Sequence, residues 1–241
     1  MDRWQGKVAW VTGASSGIGR AIVERLVARG MKVAASARRE DRLRELEGAN
    51  AFPLDVRDVD AIDACAGGIV QQLGGIDVLV NNAGLGRHAP LCDGPIDAWR
   101  EMLEVNVLGL AACTKHALAD MHRRGGEGHV IHIASMASHR VPPNSGMYSA
   151  TKFAVRSLTE GLRQELREMG SKVRVSAISP GFVETEFAGV YWDDEAKAKE
   201  TYARFRVLDA SDVADALEYL LGAPPHVQVH DVLMRPTDQR S

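Results

Sequence analysis

A run of β-branched and apolar residues, Val8-Ala9-Trp10-Val11, passes directly into Thr12-Gly13-Ala14-Ser15-Ser16-Gly17-Ile18-Gly19 and then into a helical pattern. Ile18, Ile22, Val23, Leu26 and Val27 follow a period near 3.6, and Gly30 ends the segment. Strand, glycine turn and helix in this order constrain the chain strongly. A buried strand whose chain returns through a helix requires a parallel partner strand, so the pattern predicts βαβ units. Glycines allow a tight turn and close backbone approach, while the helix start presents free N–H groups and the positive end of its dipole. Such a turn suits the phosphates of a dinucleotide.

The rest of the chain repeats the alternation. Strands are expected at Lys32–Ala37, Ala51–Asp55, Val78–Val80, His129–Ala134, Val173–Ile178 and Val229–Met234, and helices at Glu40–Glu47, Val59–Leu73, Asp97–Arg124 and Asp212–Leu221. A further helix carries Tyr148 and Lys152 and continues through Val155, Leu158, Leu162, Leu166 and Met169, spaced 3, 4, 4 and 3. Asn106 lies inside the Asp97–Arg124 pattern, where its poor helix propensity predicts a local distortion or a bound water. From Phe182 to Phe205 the pattern is irregular and aromatic, with Phe187, Tyr191, Trp192 and Tyr202 between them. This density predicts a lid at about 182–208 over an apolar substrate, with a plain surface helix pair as the alternative.

Composition narrows the function. With 241 residues, 45% hydrophobic and 25% charged, the chain is sized for one soluble domain spanning 1–241. A net charge of -3 without a basic run argues against nucleic acid. The charged start MDRWQGK and the lack of a long apolar run predict a cytoplasmic protein without a membrane span. Cys65, Cys92 and Cys113 have neither disulfide nor zinc spacing, so no metal is expected, and each reads as a small buried residue.

Two stretches carry chemistry. The second strand ends in Ala37-Arg38-Arg39, where an acid would be expected for a ribose 2′-hydroxyl; two guanidinium groups match a 2′-phosphate instead, predicting NADP(H) over NAD(H). In Ser135 to Lys152, a phenol stands four residues before an amine and thirteen after a hydroxyl. Four-residue spacing places Tyr148 and Lys152 on one helix face, where an ammonium would lower the phenol from its ordinary value near 10. That set suits proton transfer at a carbinol oxygen held by Ser135.

Thr12-Gly13-x-x-x-Gly17-x-Gly19, Asn81-Asn82-Ala83-Gly84, Asn106, Ser135, Tyr148-x-x-x-Lys152 and Pro180-Gly181, in this order, resemble the short-chain dehydrogenase/reductase family over essentially the whole chain. The resemblance implies a single-domain, Rossmann-like, doubly wound α/β fold whose parallel sheet has seven strands in the order 3-2-1-4-5-6-7. It implies Asn106, Ser135, Tyr148 and Lys152 as the catalytic set, with Lys152 binding the nicotinamide ribose and lowering the tyrosine pKa, and Asn106 retaining a relay water. It also implies cofactor contacts from Gly13, Ser15, Ser16, Gly17, Ile18, Gly19, Arg38, Arg39, Asp55, Val56, Asn81, Ala83, Gly84, Pro180, Gly181, Val183 and Thr185. Substrate contacts are expected from His88, Met136, Val141, Phe182, Phe187, Tyr191 and Trp192. HRV at 139–141, YSATKFAV at 148–155, ISPGFVETEF at 178–187 and the tail MRPTDQ at 234–239 are similar to the NADP-dependent group that contains dehydrogenase/reductase family member eleven and farnesol dehydrogenases. This likeness implies a secondary alcohol or carbonyl of an apolar molecule, such as a keto-steroid or isoprenoid, as small-molecule substrate, and a homodimer or homotetramer. The alternatives are a 3-hydroxy acid or small-carbonyl dehydrogenase of the same family and a non-catalytic NADP(H) sensor. A nucleotide-sugar epimerase would need a longer chain, and a dehalogenase-like relative would lack the cofactor glycines.

Overall fold

The computed structural model describes residues 1–240. Seven strands, β1 (Val8–Thr12), β2 (Lys32–Ala37), β3 (Ala49–Pro53), β4 (Val78–Asn81), β5 (His129–Ile133), β6 (Arg174–Pro180) and β7 (Asp231–Met234), form one sheet. Its order is β3-β2-β1-β4-β5-β6-β7 and every pairing is parallel. Every residue of β1, β4, β5 and β6 is buried, as befits strands covered on both faces, whereas the edge strands β3 and β7 alternate or stay partly exposed. On one face, α1 (Gly17–Ala28) and α9 (Ala210–Gly222) bury Ile22, Leu26, Leu217 and Leu220 against Val11, Val80 and Ile131. On the other, α3 (Val59–Leu73), α5 (Leu110–Arg123) and α6 (Gly146–Glu168) bury Ile69, Met121 and Leu166 against Trp10, Leu79 and Val130.

Several boundaries depart from the sequence reading for local reasons. The third strand runs 49–53, two residues earlier, so Asp55 and Val56 fall into the loop beyond the sheet. The helix expected at 40–47 is the single turn α2 (Glu40–Arg44), and Gly48 then takes a left-handed φ of 76° to enter β3. The long helix expected at 97–124 is α4 (Ile96–Leu103) and α5 joined by a wide π-helical turn at Glu104–Gly109. Asn106 sits in that turn, so the expected distortion is present. Cys65 and Cys113 are buried, but Cys92 is exposed, against expectation. Among the described residues no helix is long and apolar enough to cross a membrane, and no cluster suited to a metal ion is present.

Thr12, Ala37, Asn81, Ile133 and Pro180 all lie at carboxyl ends of strands. The strand order reverses between β1 and β4, and the crevice above that reversal is where such sheets take ligands.

Candidate active site

The glycine turn and the loop after β4 are built as one unit. Thr12 Oγ1 accepts the N–H groups of Asn82 at 3.1 Å and Ala83 at 3.0 Å, while Asn82 Nδ2 donates to the carbonyls of Thr12 and Gly13 at 3.0 and 3.1 Å. A methyl at Gly19 would lie 2.3 Å from the Gly13 carbonyl oxygen, and one at Gly13 would lie 2.8 Å from Ala83 Cα. These two glycines therefore serve backbone packing first. Gly17, with a φ of 52°, instead faces Thr185, whose Cγ2 would be 2.9 Å from an added methyl. Asn81 turns inward, and its Nδ2 donates to Thr114 Oγ1 at 2.8 Å; Asn82, named in the motif but not among the expected contacts, does the bridging.

Arg39 reaches across the turn. Its Nη2 donates to Ser16 Oγ at 2.8 Å and Ser15 Oγ at 3.1 Å, its Nε to Ser15 Oγ at 3.2 Å, and its Nη1 to Glu186 Oε2 at 2.8 Å. Arg42 donates to the other oxygen of Glu186 at 2.5 Å. Neither Arg42 nor Glu186 stood out in the sequence, because both read as ordinary surface charges. Arg38 is exposed and its positive charge reaches Asp55. Asp55 itself is gripped by Arg57 through contacts of 2.6 to 3.0 Å; hydrogen bonds from Arg57, opposed by partial burial, hold its carboxyl below the ordinary range. Val56 is buried against Gly109.

Asn106 is 1% exposed and its amide is fully engaged. Oδ1 accepts the Leu85 N–H at 2.9 Å, and Nδ2 donates to Leu85 O at 2.8 Å and Thr151 Oγ1 at 2.9 Å. The π-helical turn frees this side chain to tie the β4 loop to α6. Thr151, missed in the sequence, donates in turn to the Tyr148 carbonyl at 2.7 Å. A methyl at Gly84 would lie 3.4 Å from Asn106 Oδ1 and 3.5 Å from Lys152 Nζ, so the exposed glycine backbone stands in ordinary contact range of both.

Tyr148 and Lys152 share a face of α6, and Ser135, at the head of the short 3₁₀ turn Met136–Ser138, lies near enough to the phenol to favour its ionised form while its hydroxyl accepts the Ala137 N–H at 3.0 Å. One expectation is corrected. Burial pushes the Tyr148 phenol up to about 12, with Ser135 opposing, rather than leaving it lowered by Lys152. The lysine is itself 6% exposed, burial lowers it to about 8, and its Nζ donates to Ile133 O at 3.0 Å while standing 6.0 Å from the Tyr148 ring centroid. A desolvated amine turned toward a carbonyl cannot offset the desolvation of the phenol.

The aromatic segment folds as α7 (Phe187–Trp192) and α8 (Glu195–Ala203), packed on each other and brought onto Tyr148. Phe187 stands 5.4 Å and Tyr191 6.4 Å from the Tyr148 ring, and His88 stands 4.8 Å from Trp192 and 6.1 Å from Tyr191. The His88 N–H donates to Tyr191 O at 2.8 Å, and Arg87 donates to Val190 O at 3.2 Å while paired with Glu101 at 3.0 Å. A methyl at Gly86 would meet Phe187 at 2.7 Å and Tyr191 at 2.8 Å. Of the expected substrate contacts, Phe187 and Tyr191 thus meet Tyr148, His88 and Trp192 pack behind Tyr191, and Met136 is buried beside Ser135. Phe182 pairs instead with Phe205 at 6.0 Å, and Val141 is 61% exposed. Val183 is buried in a bridge to Leu208, and the Thr185 hydroxyl accepts the Phe187 N–H at 3.2 Å. Beyond Pro180, Gly181 is closed in by the tail: an added methyl would lie 2.2 Å from Gln239 Oε1, which accepts the Phe182 N–H at 3.1 Å.

Known proteins resemble this chain in sequence and in fold. Residues 7–196 match the family described as short chain dehydrogenase. Dehydrogenase/reductase SDR family member 11 of Bos taurus is 45% identical, covering 99% of each chain, and the farnesol dehydrogenase of Aedes aegypti is 40% identical over the full length of both. Among solved structures, the closed form of a serine dehydrogenase complexed with NADP+ superposes with a TM-score of 0.93 at 35% identity, covering 97% of this chain and 96% of that one. A short-chain dehydrogenase/reductase from Burkholderia phymatum in complex with NAD gives 0.87 at 28% identity, covering 97% and 90%. The sheet order, the glycine turn joined to the β4 loop and the matches across the whole chain establish that this protein belongs to the short-chain dehydrogenase family of oxidoreductases.

Proposed function

We propose that the protein is an NADP(H)-dependent oxidoreductase acting on a secondary alcohol or carbonyl of an apolar molecule. The carrying observation is a half-buried phenol with the Ser135 hydroxyl close enough to oppose its rise and aromatic rings over it. Gly13, Gly17, Gly19, Ser15, Ser16 and Arg39 suit the adenosine side of the cofactor, and the exposed backbone at Gly84 beside Lys152 suits its nicotinamide ribose. A bound nicotinamide supplies or accepts the hydride. In the direction of reduction, Ser135 holds the carbonyl oxygen and Tyr148 gives its proton to the alkoxide formed there. In oxidation, Tyr148 takes that proton back. Asn106 and Thr151 fix the α6 backbone under Tyr148, and the α7 rings exclude water.

Phe187, Tyr191 and Trp192 favour an apolar substrate such as a keto-steroid or isoprenoid. A carboxylate-bearing 3-hydroxy acid is less well served, because Arg87, beside this cluster, is already paired with Glu101 and Val190 O. An NADPH-oxidation screen over steroids, isoprenoid aldehydes, diketones and 3-oxo acids distinguishes these. Tyr148→Phe should abolish turnover while NADPH binding persists, and undiminished turnover would sink the mechanism. Replacing Arg38 and Arg39 by Ala should weaken NADPH far more than NADH; equal loss would refute the 2′-phosphate reading. The α7–α8 pair acts as the lid of this reading, so cleavage within 188–205 should slow in the ternary complex, and equal cutting would leave a fixed helix pair. Exposed Phe153 and Leu158 on α6 and Met169 just beyond its end suit a homodimer or homotetramer, which a one-chain mass by light scattering would refute.

A further inference from the structure

Glu186 stands immediately before α7, far in sequence from the arginines it meets. Its two oxygens are divided between two cations: Oε2 takes Arg39 at 2.8 Å and Oε1 takes Arg42 at 2.5 Å. Partial burial opposes ionisation, yet hydrogen bonds from Arg42 and Arg39 hold the carboxyl below its ordinary range, so it is an anion at neutral pH. The Arg39 guanidinium turns its remaining edge to the hydroxyls of Ser15 and Ser16 in the glycine turn. A carboxylate thus sits on the cations that match a phosphate in charge and hydrogen-bonding geometry.

We propose that Glu186 is an internal competitor for the cofactor's 2′-phosphate and thereby a specificity-determining residue, with Arg42 joining Arg39 as a phosphate-binding cation. This rests on the NADP(H) reading above. A 2′-phosphate reaching Arg39 must either displace the Glu186 carboxylate or lie beside it against like-charge repulsion. A cofactor with a free 2′-hydroxyl brings no such charge and leaves the carboxylate in place. Glu186 therefore moderates the preference that the arginines create, and it fastens the first turn of α7 to the phosphate site.

The test is calorimetric titration of the full chain with adenosine 2′,5′-bisphosphate and with ADP, on the wild type and on Glu186→Gln. Glu186→Ala serves as a second variant, and circular dichroism verifies that each is folded. Exposed ion pairs are individually weak, so loss of two of them should tighten the bisphosphate by about threefold to tenfold. ADP should change much less, and the ratio of the two affinities should rise. A wild type that prefers the bisphosphate, with a ratio unchanged or lowered in both variants, would overturn the competition and leave the NADP(H) reading standing. Equal affinities for the two nucleotides in all three proteins would overturn both. The role of Arg42 is read the same way: Arg42→Met should lower the ratio in the Glu186→Gln background, and an unchanged ratio there would remove Arg42 from the site.

Discussion

Asn106→Ala should cost the fold about 3 kcal/mol, a magnitude that follows from its bonding. The amide serves three groups, at 2.9 Å to the Leu85 N–H, 2.8 Å to Leu85 O and 2.9 Å to Thr151 Oγ1. Thr151 keeps its bond to the Tyr148 carbonyl at 2.7 Å, so its hydroxyl is not orphaned. Leu85, 7% exposed, loses partners for both its N–H and its carbonyl. Each buried unsatisfied group costs about 1–3 kcal/mol, and a water entering the vacated space would recover part of the sum. In urea denaturation at fixed protein concentration, an m-value of about 3 kcal/mol/M turns this into a midpoint shift of about 1 M. Asn106→Asp, which keeps an acceptor for the Leu85 N–H but sets a buried oxygen against the Leu85 carbonyl, should cost at least as much. An Asn106→Ala protein within about 0.5 kcal/mol of the wild type would refute the view that this amide joins the β4 loop to α6.

Other substitutions probe separate parts of the site. Lys152 has a folded pKa of about 8 against an ordinary 10.5, so between those values the unfolded chain binds the extra proton and stability rises with pH. The wild type should therefore gain up to about 3 kcal/mol on Lys152→Met between pH 7 and pH 10.5, measured by paired denaturation curves; a flat difference would contradict the burial of the amine. Gly19→Ala places a methyl against the Gly13 carbonyl at 2.3 Å, so it should weaken NADPH binding at least tenfold by calorimetry, whereas unchanged affinity would mean the turn can move freely. Gly86→Ala pushes on the ring edges of Phe187 and Tyr191, which can yield, so KM for an apolar substrate should rise while the melting temperature stays nearly constant. A collapse in stability without a change in KM would place the strain elsewhere.

Local pattern carried the alternation of strands and helices, the glycine turn, the Tyr148–Lys152 face and even the disturbance at Asn106, because each depends on neighbours a few residues apart. The likeness to a family supplied the sheet order. Boundaries slipped where a distant partner decides them: β3 ends at Pro53 by pairing with Ala37, and β6 runs to Pro180 by pairing with Met234. The aromatic stretch from Phe182 to Phe205 showed that it would cover something, but it could not show that Phe187 and Tyr191 face Tyr148 while Phe182 turns to Phe205.

Charge and desolvation were the least legible. In sequence, Lys152 is an ammonium four residues from a phenol, and the expected effect is a lowered tyrosine. In the folded chain the amine is withdrawn from water and points to Ile133 O, and the phenol is half-buried under aromatic rings, so desolvation governs the pair. Arg42 and Glu186 likewise read as surface charges until the fold brings α7 across the glycine turn and onto Arg39. The amino-acid order determined which residue types lie on one face of an element and where turns permit close approach. Only the tertiary structure decided which charges meet and which lose their water, because electrostatic energies depend on distance and dielectric, and neither is a property of neighbours along the chain.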